Sequence, residues 1–165
     1  MTTFIISILA FLLTVFPSCG MLLAPYQSLT FPGERAITIE IMDAIGARDI
    51  AALEAMLSST IRKKAQNLPS EIGELIDAID GEVTEYGWHP AGGSDTSNFG
   101  TRISRTTWDI EIQTTTKSYE LIVGWVVVNN RKPEEVGMST LRLIDPDLLG
   151  LGTNDFILAE VPASS

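Results

Sequence analysis

Residues 107–113, Thr107-Trp-Asp-Ile-Glu-Ile-Gln113, alternate polar and apolar side chains without a break. A period of two residues indicates a β-strand with one buried face, because successive side chains of a strand point to opposite sides of the sheet. The alternation predicts that the three apolar residues of this stretch face a core. It places Asp109 and Glu111 on the opposite, solvent-facing side.

Strand patterns continue on both sides of this stretch. Leu121-Ile-Val-Gly-Trp-Val-Val-Val128 is apolar at every position but one, which is typical of a central strand covered on two faces. Its Gly124 predicts a bulge or a bend. A last long strand is predicted over Val136–Asp145. Upstream, Val83–Trp88 predicts the first strand, and the polar, Gly-rich sequence from His89 to Asn98 predicts a loop.

Three helices are predicted before the first strand. The first covers Glu34–Ala47, where isoleucines recur every fourth residue as in an amphipathic helix. Asp49 is a suitable N-cap for a short second helix, which Ser58-Ser-Thr60 interrupts. Pro69 opens a third helix, which Asp80-Gly81 stops. Helices followed by an antiparallel meander predict an α+β domain with three N-terminal helices packed on a curved antiparallel sheet of about four strands.

The N-terminal part of the chain differs in kind, since no charged residue precedes Glu34. Phe4–Phe16 is an apolar run with the length of a signal-peptide core, and Pro17-Ser18 ends it just before Cys19. A small residue followed by a lone Cys after such a run resembles the lipobox of bacterial lipoproteins, in which the Cys becomes the lipidated first residue of the mature protein. The predicted organisation is a leader over 1–19 with Cys19 as the lipidation site, a tether over 20–33, a folded domain over 34–150 and a C-terminal tail over 151–165.

Other interpretations of the leader stay open. The uncharged stretch continues through Met21–Ala24, so an uncleaved transmembrane anchor is an alternative if Pro17 is tolerated within it. Simple secretion or a misassigned start codon is another. All of these place the domain outside the cytoplasm, and lipidation or an anchor would hold it on the extracytoplasmic face of the membrane.

The composition excludes several function classes. Twenty-one acidic residues against 11 basic ones give a net charge of −10 over 165 residues. This charge argues against nucleic acid or an anionic membrane surface as the main partner, because both bind basic patches. One Cys and one His exclude an internal disulfide and a Cys/His zinc site. No metal or cofactor is expected, since the sequence lacks a P-loop, a G-x-S-x-G elbow, a G-x-G-x-x-G fingerprint and an H-E-x-x-H pair.

Several short segments together resemble a known family. They are Asp80-Gly-Glu-Val-Thr-Glu-Tyr86, Lys117-Ser-Tyr-Glu-Leu121 and Asn130-Arg-Lys-Pro-Glu-Glu-Val-Gly-Met-Ser-Thr-Leu141. With the helix-rich N-terminal half, they make residues 34–145 similar to the bacterial lipoprotein-associated domain-of-unknown-function family 5104, which is grouped with the nuclear transport factor 2-like (SnoaL-like) folds. The resemblance implies a cone-shaped fold and a cell-envelope address, and it brings no established activity.

Two groups of residues are candidates for a site. Asp109 and Glu111 are about 7 Å apart by strand geometry, and in a buried pocket they would be suited to acid/base chemistry because burial raises the pKa of a carboxyl group. The alternation nevertheless favours a solvated strand face for both. The cone fold implied by the resemblance often leaves a pocket, and the candidate pocket residues are the aromatic ones, Tyr86, Trp108, Tyr119 and Trp125. Aromatic residues in the strands of a small domain are also ordinary core residues.

The function expected from these features is an exported, lipid-anchored, non-catalytic binding module for an unidentified small molecule or envelope protein. A SnoaL-like lyase or isomerase that uses a pocket carboxylate is one alternative, and an envelope assembly module that forms a homodimer through the open face of the sheet is another. The sole imidazole, His89, shows no catalytic partner in the sequence. An inward orientation of Asp109 and Glu111 would favour the enzyme.

Overall fold

The computed structural model of the chain describes residues 33–145 and 156–157. The predicted leader, its Cys19, the predicted tether up to residue 32 and most of the predicted tail lie outside the described residues.

Four helices come first, one more than predicted. They are α1 (Glu34–Ala47), α2 (Ile50–Met56), α3 (Ser59–Lys64) and α4 (Leu68–Asp77). Asp49 caps α2 as predicted, since its side chain accepts a hydrogen bond from the Ala52 N–H at 3.0 Å. Ser58 does end this helix, but its hydroxyl also accepts a hydrogen bond from the Ile61 N–H at 3.4 Å and so caps α3. Ile61 is the buried residue of α3. One buried position does not produce the repeating apolar pattern from which a helix is predicted.

The chain then forms one antiparallel sheet whose strands follow their order in the sequence. The strands are β1 (Val83–Asn98), β2 (Thr101–Thr114), β3 (Ser118–Asn129), β4 (Gly137–Ile144) and the two-residue β5 (Phe156–Ile157). A 3-10 turn over Pro133–Glu135 precedes β4. The predicted α+β class with four long antiparallel strands is confirmed. The short β5 pairs with Arg142 and Leu143 of β4, although it falls in the segment predicted as a tail.

The prediction of a loop over 89–98 is wrong. β1 continues through these residues and pairs with β2 as far as Asn98 opposite Thr101. All of them are exposed, so no apolar alternation marks the strand in the sequence. A register shift between Pro90 and Gly92 accommodates the proline, whose ring removes a backbone donor. The extension carries β1 and β2 beyond the end of β3. We call residues 94–105 the hairpin arm; residues 103–105 at its base also pair with β3.

The helices pack on one face of the sheet, and the core lies between the two layers. The predicted inward row of β2 is confirmed, because Trp108, Ile110 and Ile112 are 0% exposed. Helical residues complete the same cluster, including Ile41, Leu53, Ile72 and Leu75. The Trp108 indole N–H donates a hydrogen bond to Thr38 Oγ1 at 3.0 Å, so the polar atom of this core residue is satisfied as well. We call the sheet face with Trp108 the helix-side face and the opposite one the outer face.

Candidate functional site

A cleft of about 210 Å³ opens over β2, β3, β4 and the 3-10 turn. This volume equals that of about seven water molecules at ~30 Å³ each, so the cleft suits a small ligand. Its lining residues differ in chemistry and include Arg105, Ser139, Thr140, Trp125 and Glu135.

The backbone at Gly124 shapes the centre of the cleft. Thr107, Gly124 and Thr140 lie directly opposite one another and form a row across three strands. The register shifts immediately after Gly124, which confirms the predicted bulge and leaves Ser139 as the extra residue of β4. A Cβ atom at position 124 would lie 3.0 Å from Thr140 Cβ and 3.2 Å from Ser139 Oγ. Glycine is therefore the residue that fits this floor.

The two charged residues of the cleft differ in whether their side chains have partners. Glu135 is nearly buried, and its carboxylate is held by Asn129 Nδ2 at 2.9 Å and by Lys132 Nζ at 3.2 Å. Arg105 is half-buried, and within residues 33–145 its side chain has neither a hydrogen bond nor an ion pair. The cleft thus contains a cation without a partner in the described part of the chain, beside a carboxylate that is already engaged.

The two candidate carboxylates lie on the outer face of the sheet, further along the same face of β2 as Thr107 of the cleft. Asp109 is opposite His89 of β1, and Glu111 Oε1 is 3.7 Å from His89 Nε2. The side chains of His89 and Glu111 are 63% and 65% exposed, so solvent screens their contact strongly. Burial raises the pKa of Asp109 above its ordinary value, and the attraction of His89 partly opposes this. Asp109, Glu111 and His89 are not among the residues that line the cleft.

The four aromatic candidates separate into three environments. Trp108 and Tyr119 are buried in the core, where the Tyr119 hydroxyl accepts a hydrogen bond from the Asp80 N–H at 2.7 Å. Tyr86 lies on the edge strand β1 and is partly exposed. Trp125 packs against the core and also lines the cleft. Of the four, Trp125 alone is among the residues that line this cleft.

Sequence reasoning did not single out Arg105 or the hydroxyls of Ser139 and Thr140. Gly124 carried a usable signal, because a glycine inside an apolar strand indicates a bulge or a close approach of neighbouring atoms. That signal did not reveal which side chains of the adjacent strands would surround it.

Two further properties bear on function. Within the described ranges, no three His, Cys, Asp or Glu side chains are grouped so that they could hold a metal ion. The described helices include none that is both long and apolar enough to cross a bilayer.

Residues 40–146 match the model of a protein family described as a domain of unknown function, DUF5104. A search of curated proteins gives no significant match.

Proposed function

We propose that this chain, which belongs to the DUF5104 family of domains of unknown function, is an exported, lipid-anchored module that binds a small anionic molecule without catalysis. The observation that carries the proposal is Arg105, a half-buried cation without a partner in the described chain, on the wall of a cleft.

Burying the guanidinium of Arg105 without a partner costs free energy. An arginine side chain stays charged at any physiological pH, and partial burial removes some of its water. Folded proteins usually compensate with a carboxylate, but Glu135, the carboxylate that lines this cleft, is bound by Asn129 and Lys132. A bound anion would supply the missing partner for Arg105.

The other residues that line the cleft, together with its volume, limit the kind of anion that would fit. The planar guanidinium matches a carboxylate with two parallel hydrogen bonds. The hydroxyls of Ser139 and Thr140 lie beside Gly124 and offer further donors, and Trp125 and Val126 are the large apolar residues of the lining. The volume is below the ~300–1,000 Å³ of pockets for drug-sized ligands. These features fit a small carboxylate with a short apolar or aromatic body.

The placement of the titratable groups favours binding over catalysis. A general base must lie within hydrogen-bonding reach of the substrate, and Asp109, Glu111 and His89 do not line the cleft. The raised pKa of Asp109 beside His89 is the observation that keeps a lyase or isomerase as the alternative. An envelope assembly module that dimerises through the outer face is a further alternative, but self-association there would bring Asp109 and Glu111 towards their own copies.

The proposal also covers the location of the protein in the cell envelope and its relationship to a larger group of folds. Cys19 after an apolar run supports a bacterial lipoprotein, and helices on one face of a long-stranded antiparallel sheet support a cone of the nuclear transport factor 2-like kind. The intact mass of protein extracted from membranes tests the address. We expect a chain that begins at Cys19 and carries a diacylglyceryl group. A mass that includes residues before Cys19 would contradict lipoprotein processing.

Nuclear magnetic resonance tests the site. We would titrate full-length ¹⁵N-labelled protein in detergent micelles with benzoate, a small aromatic carboxylate. Saturable shifts are expected at the amides of Thr107, Gly124 and Thr140, with loss of these shifts in Arg105→Gln. Arg131→Gln is the matched control, since Arg131 is exposed and does not line the cleft. Equal shifts in wild type and Arg105→Gln would refute an anion site at Arg105.

A further inference from the structure

The tip of the hairpin arm exposes an aromatic side chain on an unfavourable backbone. Phe99 is fully exposed and has a φ of 44°, and Gly100 follows with a φ of 81°. Two consecutive positive φ values define a type I′ turn, whose first position prefers Asn, Asp or Gly. Phe99 therefore adopts an unfavourable backbone conformation, and its ring gains no burial within the domain. Such outliers cluster where function requires them.

The start of α1 shows which end of the domain is nearest to the N-terminal segment. Thr106 donates its hydroxyl hydrogen to Glu34 Oε1 at 2.6 Å, and four residues further along α1, Thr38 accepts from Trp108. The helix therefore begins near the hairpin arm and runs along β2 away from it. The chain enters the domain at the same end of the sheet as Phe99.

The charges differ between the two ends of the sheet. Near the arm tip, Asn130 Nδ2 donates to the Gly100 carbonyl at 2.7 Å, and the next residue is the exposed Arg131. Asp95 in the arm is neutralised by Arg102 at 2.8 Å. The opposite end, around the β2–β3 turn, carries exposed acidic residues, Asp80, Glu82 and Glu85. An anionic headgroup surface would therefore repel the end with Asp80, Glu82 and Glu85 more strongly than the end with Phe99.

We propose that Phe99 inserts into the interface of the lipid bilayer to which the chain is anchored. The inference rests on the proposed lipid anchor at Cys19. Thirteen residues lie between Cys19 and Gly33, and the fourteen residue-to-residue steps span at most about 50 Å. The arm tip extends only about 17 Å beyond Thr106, so the tether can bring Phe99 to the membrane surface.

A single aromatic residue binds a membrane weakly by itself, and anchoring generally needs two signals. The lipid holds the domain near the bilayer and so raises the effective concentration of the second contact. A weak contact is then sufficient to orient the domain. That orientation would also hold Arg105, at the base of the arm, near the headgroups.

A fluorescent label at the tip tests the insertion. In the mature lipidated protein the Cys19 sulfur would carry the diacylglyceryl group, so Phe99→Cys introduces the one free thiol for an environment-sensitive nitrobenzoxadiazole dye. We would reconstitute this protein into vesicles of phosphatidylcholine and phosphatidylglycerol. The expected result is a several-fold gain in dye emission with a blue shift, and quenching by lipids that carry a doxyl group. Glu82→Cys with the same dye is the control at the far end, and its emission should stay as in water.

The outcomes separate the inference from its premise. Protein that floats with the vesicles while the dye at position 99 stays aqueous would overturn insertion and leave the anchor intact. Protein that does not float and has a free thiol at Cys19 would overturn both the anchor and the insertion. A blue shift of equal size without vesicles would also overturn the inference, because the label would then be shielded from water in the absence of lipid.

Discussion

At Gly124, the absence of a side chain determines the shape of the cleft. We predict that Gly124→Ala lowers the free energy of unfolding by about 1–3 kcal/mol, because the new Cβ atom would lie 3.0 Å from Thr140 Cβ and crowd Ser139. Urea unfolding measures the change. Gly87→Ala in β1 is the control, since a Cβ atom there meets nothing within 4 Å. Similar losses in the two variants would show that the floor of the cleft is not crowded.

Asp109 should make the folded state less stable as the pH rises, whereas a salt-bridged carboxylate makes it more stable. Burial raises the pKa of folded Asp109 above the ordinary value near 3.8, so the folded state binds the proton more tightly than the unfolded state. Its contribution to stability is full below the ordinary pKa and is lost as the pH rises through the folded pKa.

We therefore predict that Asp109→Asn raises the Tm at pH 7 and that this gain shrinks towards pH 3. Melting curves across that range check the prediction, with Glu111→Gln as the more exposed neighbour on the same face. A Tm difference that is constant with pH would contradict it.

For single residues of β2, the alternation of polar and apolar side chains predicted which face of the sheet each side chain occupies. The burial of Trp108 and the outward position of Asp109 follow from a period of two, which fixes the face of each residue once one face is buried. Arg105 was not predictable in the same way. Its role depends on the cleft and on Glu135 already being bound, and both arise from residues distant in sequence.

Among the elements, β1 shows the limit of pattern-based prediction. Its first half was predicted, but residues 89–98 contain Pro, Gly and Ser and bury nothing, so only pairing with β2 keeps them extended. The short helix α3 was missed for a related reason. A cap at Ser58 and one buried residue, Ile61, produce it, and neither generates a repeating pattern.

Besides the backbone pairing of residues 103–105 with β3, the side chain of Asn130 links the hairpin arm to the turn that follows β3, and this link gives a prediction for the element. Asn130 accepts a hydrogen bond from the Arg102 N–H at 2.8 Å and donates one to the Gly100 carbonyl. Replacing Asn130 with Ala should speed amide hydrogen exchange at the arm tip by about tenfold, the equivalent of ~1.4 kcal/mol. Exchange mass spectrometry over residues 94–105 measures it.

Asn98→Ala is the control for this prediction, because the side chain of Asn98 is exposed in the neighbouring strand and makes no hydrogen bond to the described residues. Unchanged exchange in Asn130→Ala would show that strand pairing alone orders the arm.

For the molecule as a whole, the order of helices and strands was sufficient to predict an α+β domain, because helices that precede a meander can cover only one face of its sheet. The cleft was beyond such reasoning. It combines residues of β2, β3, β4 and the 3-10 turn, and its shape depends on the bulge beside Gly124. The glycine indicated where the bulge lies but not which residues surround it.

Native mass spectrometry of the protein purified gently from the envelope of its own host would show whether the cleft holds a small anion through Arg105. We expect an additional mass that survives dilution in wild type and in Arg131→Gln and is lost in Arg105→Gln. An identical ligand-free mass in all three proteins would refute anion binding at Arg105.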